Sequence, residues 1–163
     1  MQIKVRRTGL VAQLLCILAL ALTTQPATAE TLDWSGPVHW QSWEEGSKDA
    51  ASHGKPMFLL VFGHWCPHCR ELMPVFRDPE IAKLARNFVM VRQDTDERPP
   101  WLSRYGHIAT YVPRIFFLYP DGALASDITS GNPQFPYYYQ PSNVGALRTS
   151  MHKGAALHTG HKS

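Results

Sequence analysis

Two cysteines three residues apart are the side chains of this sequence best suited to do chemistry. They stand in the run Cys66-Pro67-His68-Cys69, directly after Trp65. A thiolate can attack a disulfide sulfur, and a second thiol one helical turn away can then attack the mixed disulfide and release the product. The spacing therefore indicates dithiol–disulfide exchange, with Cys66 as the exposed attacking thiol and Cys69 as the more buried resolving thiol.

The residues around Cys66 fit this chemistry. The pattern places Cys66 at the first turn of a helix, where unpaired N–H groups and the positive end of the helix dipole favour a thiolate. His68 is expected to add hydrogen bonding and charge stabilisation to that thiolate, which makes the disulfide a better oxidant. The dipeptide Pro67-His68 matches that of DsbA-type oxidoreductases, so we favour an oxidising or isomerising poise.

A strand followed by a helix is expected to position the pair. Residues 56–62 form a continuous apolar run, typical of a central strand covered on both faces, and a short loop leads from it to Cys66. Further strands follow, including one at 113–119 with a hairpin partner at 123–128, and a last helix starts near Ser142. This order predicts an α/β fold of thioredoxin type, a mixed sheet with helices on both faces.

Pro113 opens the third predicted strand. Thioredoxin-like folds have a cis-proline at the start of a strand that faces the cysteine pair, and we expect the bond between Val112 and Pro113 to be cis. The backbone of Val112 would then pair with an extended substrate segment. The expected substrate-binding residues are Trp65, Val112 and Pro113. The expected catalytic residues are Cys66, Cys69, His68 and Pro67.

Residues 1–29 have the pattern of a secretory signal peptide. Basic residues precede the apolar run 10–22, and Ala27-Thr28-Ala29 provides a cleavage site. As a helix, that run reaches only about 20 Å, against a hydrocarbon core of about 30 Å. We expect an exported protein, periplasmic or otherwise secreted, with no stable membrane insertion after signal cleavage.

Residues 30–163 would remain, a length that suits one thioredoxin-like domain with a disordered tail at 154–163. The whole chain has sixteen Lys and Arg against thirteen Asp and Glu, a net charge of +3. Three of the basic residues and none of the acidic ones lie in the leader, so thirteen of each remain. The basicity is thus a targeting feature, and nucleic acid is not an expected partner. Cys16 also lies in the leader and would be discarded with it.

Two alternatives to dithiol exchange stay open. His64 with Cys66 and Cys69 could bind a copper ion in a metallochaperone, although the sequence has no second C-x-x-C and no histidines paired at zinc-ligand spacing. A non-catalytic module that holds unfolded clients is the other alternative. The leading interpretation needs no bound cofactor. Its partners would be cysteine-containing protein substrates and a redox partner that recharges the cysteine pair.

Further motifs accompany the cysteine pair in one order between about His39 and Tyr139. They are Trp40 with the acidic helix after it and the segments 65–69, 87–91, 111–118, 131–133 and 137–139. Together they resemble the small single-domain thioredoxin-like proteins of the endoplasmic reticulum, related to the anterior gradient family. The resemblance implies a thioredoxin fold, a redox-active pair at Cys66 and Cys69, a cis-Pro113 and protein thiols as substrates.

The sequence departs from that resemblance at two places, and from thioredoxin itself at a third. Anterior gradient proteins often lack the second cysteine, whereas Cys69 keeps full dithiol cycling possible here. The sequence ends in residues 160–163 without an ER-retention tetrapeptide, so we expect export to a bacterial periplasm rather than retention. Thioredoxin itself has a buried carboxylate six residues before the first cysteine, where this sequence has Leu60. Glu71 and His64 are the candidates for accepting the proton of Cys69.

Overall fold

The structure is a computed structural model, and it describes residues 31–158. The expected signal peptide with Cys16 and the last part of the expected tail, residues 159–163, lie outside the described residues. Within residues 31–158, no helix is both long enough and apolar enough to cross a membrane.

A mixed sheet of three strands, in the order β2-β1-β3, lies at the centre of the described chain. Strand β1 (Met57–Phe62) pairs in parallel with β2 (Val89–Asp94) and antiparallel with β3 (Arg114–Leu118). Every residue of β1 is buried, which confirms the central strand that the apolar run predicted.

Helices cover the sheet. In chain order, those of the described residues are α1 (Trp43–His53), α2 (Pro67–Leu72), α3 (Pro79–Ala85), α4 (Ser103–Gly106) and α5 (Val144–Gly154). Ser42 caps α1 through a reciprocal capping box with Glu45, and Gly54 ends it in the left-handed conformation. Helix α2 gives way to a 3-10 turn (Met73–Arg77) at Pro74, whose ring does not fit inside a continuing α-helix.

Successive residues of β1 point to opposite faces of the sheet and so build two cores. Phe58 and Leu60 belong to the core beneath α3 and α5. Leu59 and Val61 belong to the core beneath α1 and α4. The last residue of the strand, Phe62, packs in a smaller cluster with both cysteines, so the sheet core extends directly to the cysteine pair.

The predicted hairpin strand at 123–128 is wrong. Within the described residues, this segment pairs with β3 only through an isolated bridge between Leu118 and Leu124. Ala125 and Ile128 are instead buried, and the Ile128 N–H donates to the Ala125 carbonyl at 3.0 Å. The Ala125 N–H still donates to the Phe117 carbonyl at 3.0 Å, and after Ala125 the segment turns inward to fill the core instead of continuing as a strand.

The ordered fold extends beyond the point where the tail was expected to begin. Gly154 is the last residue of α5, and a Cβ at this position would clash with the ring of Phe117. Ala155 and Leu157 also pack against the same core. The C-terminal helix thus needs glycine at its end, because it lies directly on the aromatic side chains of the sheet.

We predict that Ser42→Ala lowers the free energy of unfolding by about 1 kcal/mol. The Ser42 hydroxyl accepts a hydrogen bond from the Glu45 N–H at 3.2 Å, and the substitution removes it. Urea denaturation followed by tryptophan fluorescence measures the change. Ser47→Ala, at a half-buried position inside the same helix, is the matched control and should change stability by less than about 0.5 kcal/mol. Equal losses in the two variants would contradict the capping role.

Candidate active site

The cysteine pair lies where β1 ends and α2 begins. Strand β1 ends at Phe62, and three residues lead from it to Cys66, which is the N-cap of α2 with extended backbone angles. Pro67 occupies the first helical position, where its missing N–H leaves no helical hydrogen bond unmade. The helix start that the sequence predicted at Cys66 is confirmed.

Backbone groups on two sides contact the Cys66 sulfur. Its Sγ accepts a hydrogen bond from the Cys69 N–H at 3.4 Å, and its thiol donates to the carbonyl oxygen of Val112 at 3.5 Å. Both cysteines are free thiols in this structure. An N–H group of the first helical turn therefore points at the sulfur, which is the geometry that suits an anion.

The expectation that Cys66 is the exposed thiol of the pair is wrong. Cys66 is 3% exposed and Cys69 is 1% exposed. Both belong to a cluster with Leu32, Phe62 and Met73. Leu32 comes from the irregular segment before α1, and its contact with this cluster could not be read from the local sequence around the cysteines. The two thiols therefore differ in their hydrogen bonds more than in their exposure.

Burial raises the pKa of Cys69 to about 12. Loss of hydration is the largest cause, because a thiolate is poorly solvated in this apolar cluster. The negative charges of Cys66 and Asp94 raise the pKa further, and the Gly63 N–H lowers it. Cys69 is thus a protonated thiol near neutral pH, as suits a group that attacks only after a mixed disulfide has formed.

The loop before β3 lies next to the cysteine pair. The bond between Val112 and Pro113 is cis. The guanidinium of Arg114 is buried, and its Nη1 donates to the Tyr111 carbonyl at 2.6 Å. The Tyr111 hydroxyl accepts a hydrogen bond from the Tyr137 N–H at 2.9 Å. Arg114 had no predicted role, and the signal that could have revealed one is its charge at the head of an otherwise apolar strand.

Trp65 provides an exposed apolar surface beside the pair. Its side chain is 62% exposed, and its indole N–H donates to Asp96 at 3.1 Å. A Cβ on Gly63 would come within 2.9 Å of the indole, so the ring can lie against the backbone because residue 63 is glycine. The indole is therefore held in place at an exposed position directly before Cys66.

His68 lies on the exposed side of α2. Its Nδ1 is 3.0 Å from Glu71 Oε2, and both side chains are more than half exposed. Its ring centroid is 6.0 Å from that of Tyr138, a residue that sequence reasoning did not assign to the site. In the described chain the hydrogen bond of the His68 ring thus runs along the helix to Glu71, and the hydrogen bond to the Cys66 sulfur comes from the backbone.

No group of three or more His, Cys, Asp or Glu side chains within residues 31–158 is arranged to hold a metal ion. His64, the third ligand of the copper alternative, accepts a hydrogen bond at Nδ1 from the Leu32 N–H at 3.0 Å. Its Nε2 lies 3.3 Å from Asp94 Oδ2. Both ring nitrogens are therefore engaged by groups other than the two sulfurs.

Comparison with known proteins gives a consistent result. A family model described as thioredoxin-like matches residues 39–120. Human anterior gradient protein 2 homolog is 31% identical over 138 residues, covering 82% of this chain and 77% of that protein. The solved structure of a Thermus thermophilus thioredoxin has a TM-score of 0.54 at 22% identity, covering 74% of this chain and 92% of that one. A DsbH oxidoreductase has a TM-score of 0.51 at 18% identity, covering 79% of this chain and 90% of that one.

The fold and the cysteine junction define a protein of thioredoxin fold, which confirms the predicted α/β architecture. The chain belongs to the thioredoxin-like family, with anterior gradient proteins among its relatives, as the ordered motifs predicted. The likeness to the two solved structures concerns the fold alone.

We predict that iodoacetamide labels Cys66 before Cys69. With a pKa of about 12, Cys69 has a thiolate fraction of about one in 10,000 at about pH 8. The value of about 12 includes a contribution from Cys66, which is absent in protein carrying Cys16→Ser and Cys66→Ser, whereas burial remains. In that protein, labelling of Cys69 should be at least about 100-fold slower in the folded state than in urea, and should rise about tenfold per pH unit. Peptide mass spectrometry measures both rates.

The matched control is Cys16→Ser with Cys69→Ser, in which Cys66 is the remaining thiol. Folding should slow the labelling of Cys66 far less than that of Cys69. Equal protection of the two thiols by folding would contradict the raised pKa of Cys69.

Proposed function

We propose that this protein is an exported thiol–disulfide oxidoreductase that exchanges disulfides with cysteine-containing proteins through Cys66 and Cys69. The contact set around one sulfur supports this most directly. The Cys66 Sγ lies between the Cys69 N–H and the Val112 carbonyl. The attacking thiol of Cys66 thus lies at the start of a helix, and Cys69 lies one turn further along it. The loop beside Cys66 offers the Val112 carbonyl as a backbone acceptor for a client chain.

In the oxidising direction, a client thiolate attacks the Cys66 sulfur of the Cys66–Cys69 disulfide. The bond between the two cysteines breaks, and Cys69 leaves as a thiolate that takes up a proton. A second client thiolate then attacks the client sulfur of the mixed disulfide, which forms the client disulfide and releases reduced Cys66. Two electrons and two protons leave the client, and a redox partner reoxidises the pair. Isomerisation starts instead from the reduced protein: the Cys66 thiolate attacks a client disulfide and forms a mixed disulfide, and one client thiolate is released. Another client thiolate then attacks the client sulfur bound to Cys66, which forms a different client disulfide and releases the Cys66 thiolate, so that no net oxidation occurs.

The remaining site residues have supporting roles in this proposal. Trp65, Val112 and Pro113 would bind an extended client segment beside the sulfur. Pro67 sets the helix start. A positive charge on His68, paired with the exposed Glu71 carboxylate, would stabilise the reduced form of the nearby Cys66 and favour an oxidising or isomerising poise.

The leader pattern of residues 1–29 supports export, to a periplasm or otherwise outside the cell. Disulfides form and persist in such compartments, so exported proteins with cysteine thiols that must be paired would be the substrates of an oxidising dithiol protein. The resolving cysteine matters for this assignment, since a single thiol can form mixed disulfides but does not release them by internal attack.

The test uses reduced, unfolded ribonuclease A as the client in a glutathione buffer. We predict that the protein accelerates recovery of ribonuclease activity and that Cys66→Ser abolishes the acceleration. Cys69→Ser should instead accumulate a mixed disulfide between Cys66 and the client, visible by non-reducing electrophoresis. Ser47→Ala, a helix-surface substitution away from the pair, should leave the acceleration unchanged.

The reduction potential of the pair, measured against glutathione, tests the direction of electron flow. We expect a value well above the thioredoxin value of about −270 mV. A value near that of thioredoxin would contradict the oxidising poise. A stoichiometric copper complex of the reduced protein without any disulfide exchange would contradict the enzyme class itself.

A further inference from the structure

The proposed cycle needs a group that accepts the proton of Cys69. This thiol is protonated near neutral pH because burial raises its pKa to about 12. Leu60, at the position where thioredoxin has a carboxylate, is fully buried and has no group that can accept a proton. The acceptor must therefore come from another element of the fold.

Glu71, one of the two candidates from the sequence, is directed away from this thiol. Its carboxylate is 60% exposed and lies 3.0 Å from the His68 ring on the outer surface of α2. Cys69 belongs to the buried cluster on the inner side of the same helix. Glu71 thus contacts solvent and its helical neighbour, while the proton to be accepted lies in the interior.

Strand pairing places the carboxylate of Asp94 near the buried cluster that contains Cys69. It is the last residue of β2 and pairs in register with Phe62 of β1, which packs in the cluster with both cysteines. Its side chain is 13% exposed, and its Oδ1 accepts a hydrogen bond from the Asp96 N–H at 2.9 Å. Its charge also contributes to the raised pKa of Cys69, so the two groups interact across the cluster.

His64 orients this carboxylate. Its Nδ1 accepts a hydrogen bond from the Leu32 N–H at 3.0 Å, so the ring proton of the neutral imidazole lies on Nε2. That Nε2 is 3.3 Å from Asp94 Oδ2. The imidazole ring also packs edge-to-face on Phe62, with 5.3 Å between ring centroids. His64 therefore holds Asp94 beside the cysteine cluster and leaves the carboxylate as the basic partner.

The outer side of the His64 and Asp94 side chains faces solvent. An open cleft of about 940 Å³ is lined by both His64 and Asp94. Four other charged groups line the same cleft: Asp33, Glu44, Arg92 and Glu97. The Arg92 guanidinium lies 5.5 Å from the centroid of the Trp34 ring, and Glu97 hydrogen-bonds with Gln93. A proton accepted on the inner side thus has a direct route to water.

We propose that Asp94, oriented by His64, accepts the proton of Cys69 through water and passes it to the cleft. This inference rests on the proposed disulfide exchange. When Cys69 attacks the mixed disulfide, its S–H bond breaks and the proton moves by way of water to the Asp94 carboxylate. The Cys69–Cys66 bond forms, and the client sulfur leaves with its electron pair as a thiolate. In the opposite direction, Asp94 returns the proton to the departing Cys69 thiolate.

Asp94 can influence the attack of Cys69 in two ways, as a negative charge and as a proton acceptor. The two roles predict opposite outcomes for Asp94→Asn. Removing the negative charge lowers the pKa of Cys69, so an Asp94 that acted only as a charge would make the variant attack faster. Removing a proton acceptor makes the attack slower. Asparagine can still accept the hydrogen bond from the Asp96 N–H, which preserves the local cap.

The experiment mixes reduced protein carrying Cys16→Ser with oxidised glutathione, raised until the rate of Cys66–Cys69 bond formation no longer depends on its concentration. That limiting rate reports the attack of Cys69 on the mixed disulfide, and acid quenching with mass spectrometry follows both species. We expect Asp94→Asn to lower it by about 100-fold near neutral pH, and added acetate to restore part of it. His64→Gln should lower it less, because the carboxylate remains.

Glu97→Gln removes a negative charge from the same cleft and is the matched control, for which we expect an unchanged limiting rate. An unchanged or faster rate in Asp94→Asn would overturn the inference. If Asp94→Asn does not fold, the limiting rate of His64→Gln decides, and a rate equal to that of the unsubstituted protein would overturn it. Failure of the unsubstituted protein to form any mixed disulfide at Cys66 would instead overturn the proposed function, so the two failures are distinguishable.

Discussion

The contact between the Cys69 N–H and the Cys66 sulfur depends on a helix that could not form alone. Helix α2 has six residues, far fewer than an isolated helix needs in water. It persists because Cys69 and Leu72 are buried against the sheet and because β1 delivers the chain to Cys66 from a fully buried strand. The geometry at the sulfur is therefore a consequence of core packing. A substitution that disturbs the core would shift the Cys69 N–H and so weaken its hydrogen bond to the Cys66 sulfur.

The polar groups near the pair are held mainly by backbone atoms. Arg114 is fixed to the Tyr111 carbonyl, His64 to the Leu32 N–H and Asp94 to the Asp96 N–H. A hydrogen bond to a backbone partner lowers the cost of burying a polar group without adding another flexible side chain. Each of these bonds also ties a different loop to the rim of the sheet, so these side chains fix the loops around the cysteines.

Local signals in the sequence predicted the elements that carry the cysteines. The apolar run of β1 and the helix start at Cys66 depend on neighbours a few residues away, and the structure confirms both. The burial of Cys66 depends on Leu32 and Val112, which lie 34 and 46 residues from it, and local pattern contains no record of such contacts. The pairing of Phe62 with Asp94 depends on strand register, which one isolated sequence does not specify for a parallel pair.

That register also explains how a carboxylate on β2 can lie near the cysteine pair, which follows β1. In the parallel ladder, Leu60 pairs with Arg92 and Phe62 pairs with Asp94, so Asp94 lies one pleat nearer the rim than the thioredoxin-type position. A carboxylate at the fully buried Leu60 would lose nearly all of its hydration, at a cost of several kcal/mol. At the rim, Asp94 keeps a partial exposure of 13%, a histidine partner and a cleft to solvent. A carboxylate at position 94 on β2 therefore keeps its charge near the thiol of Cys69, with a lower desolvation penalty than a carboxylate at position 60 on β1 would have.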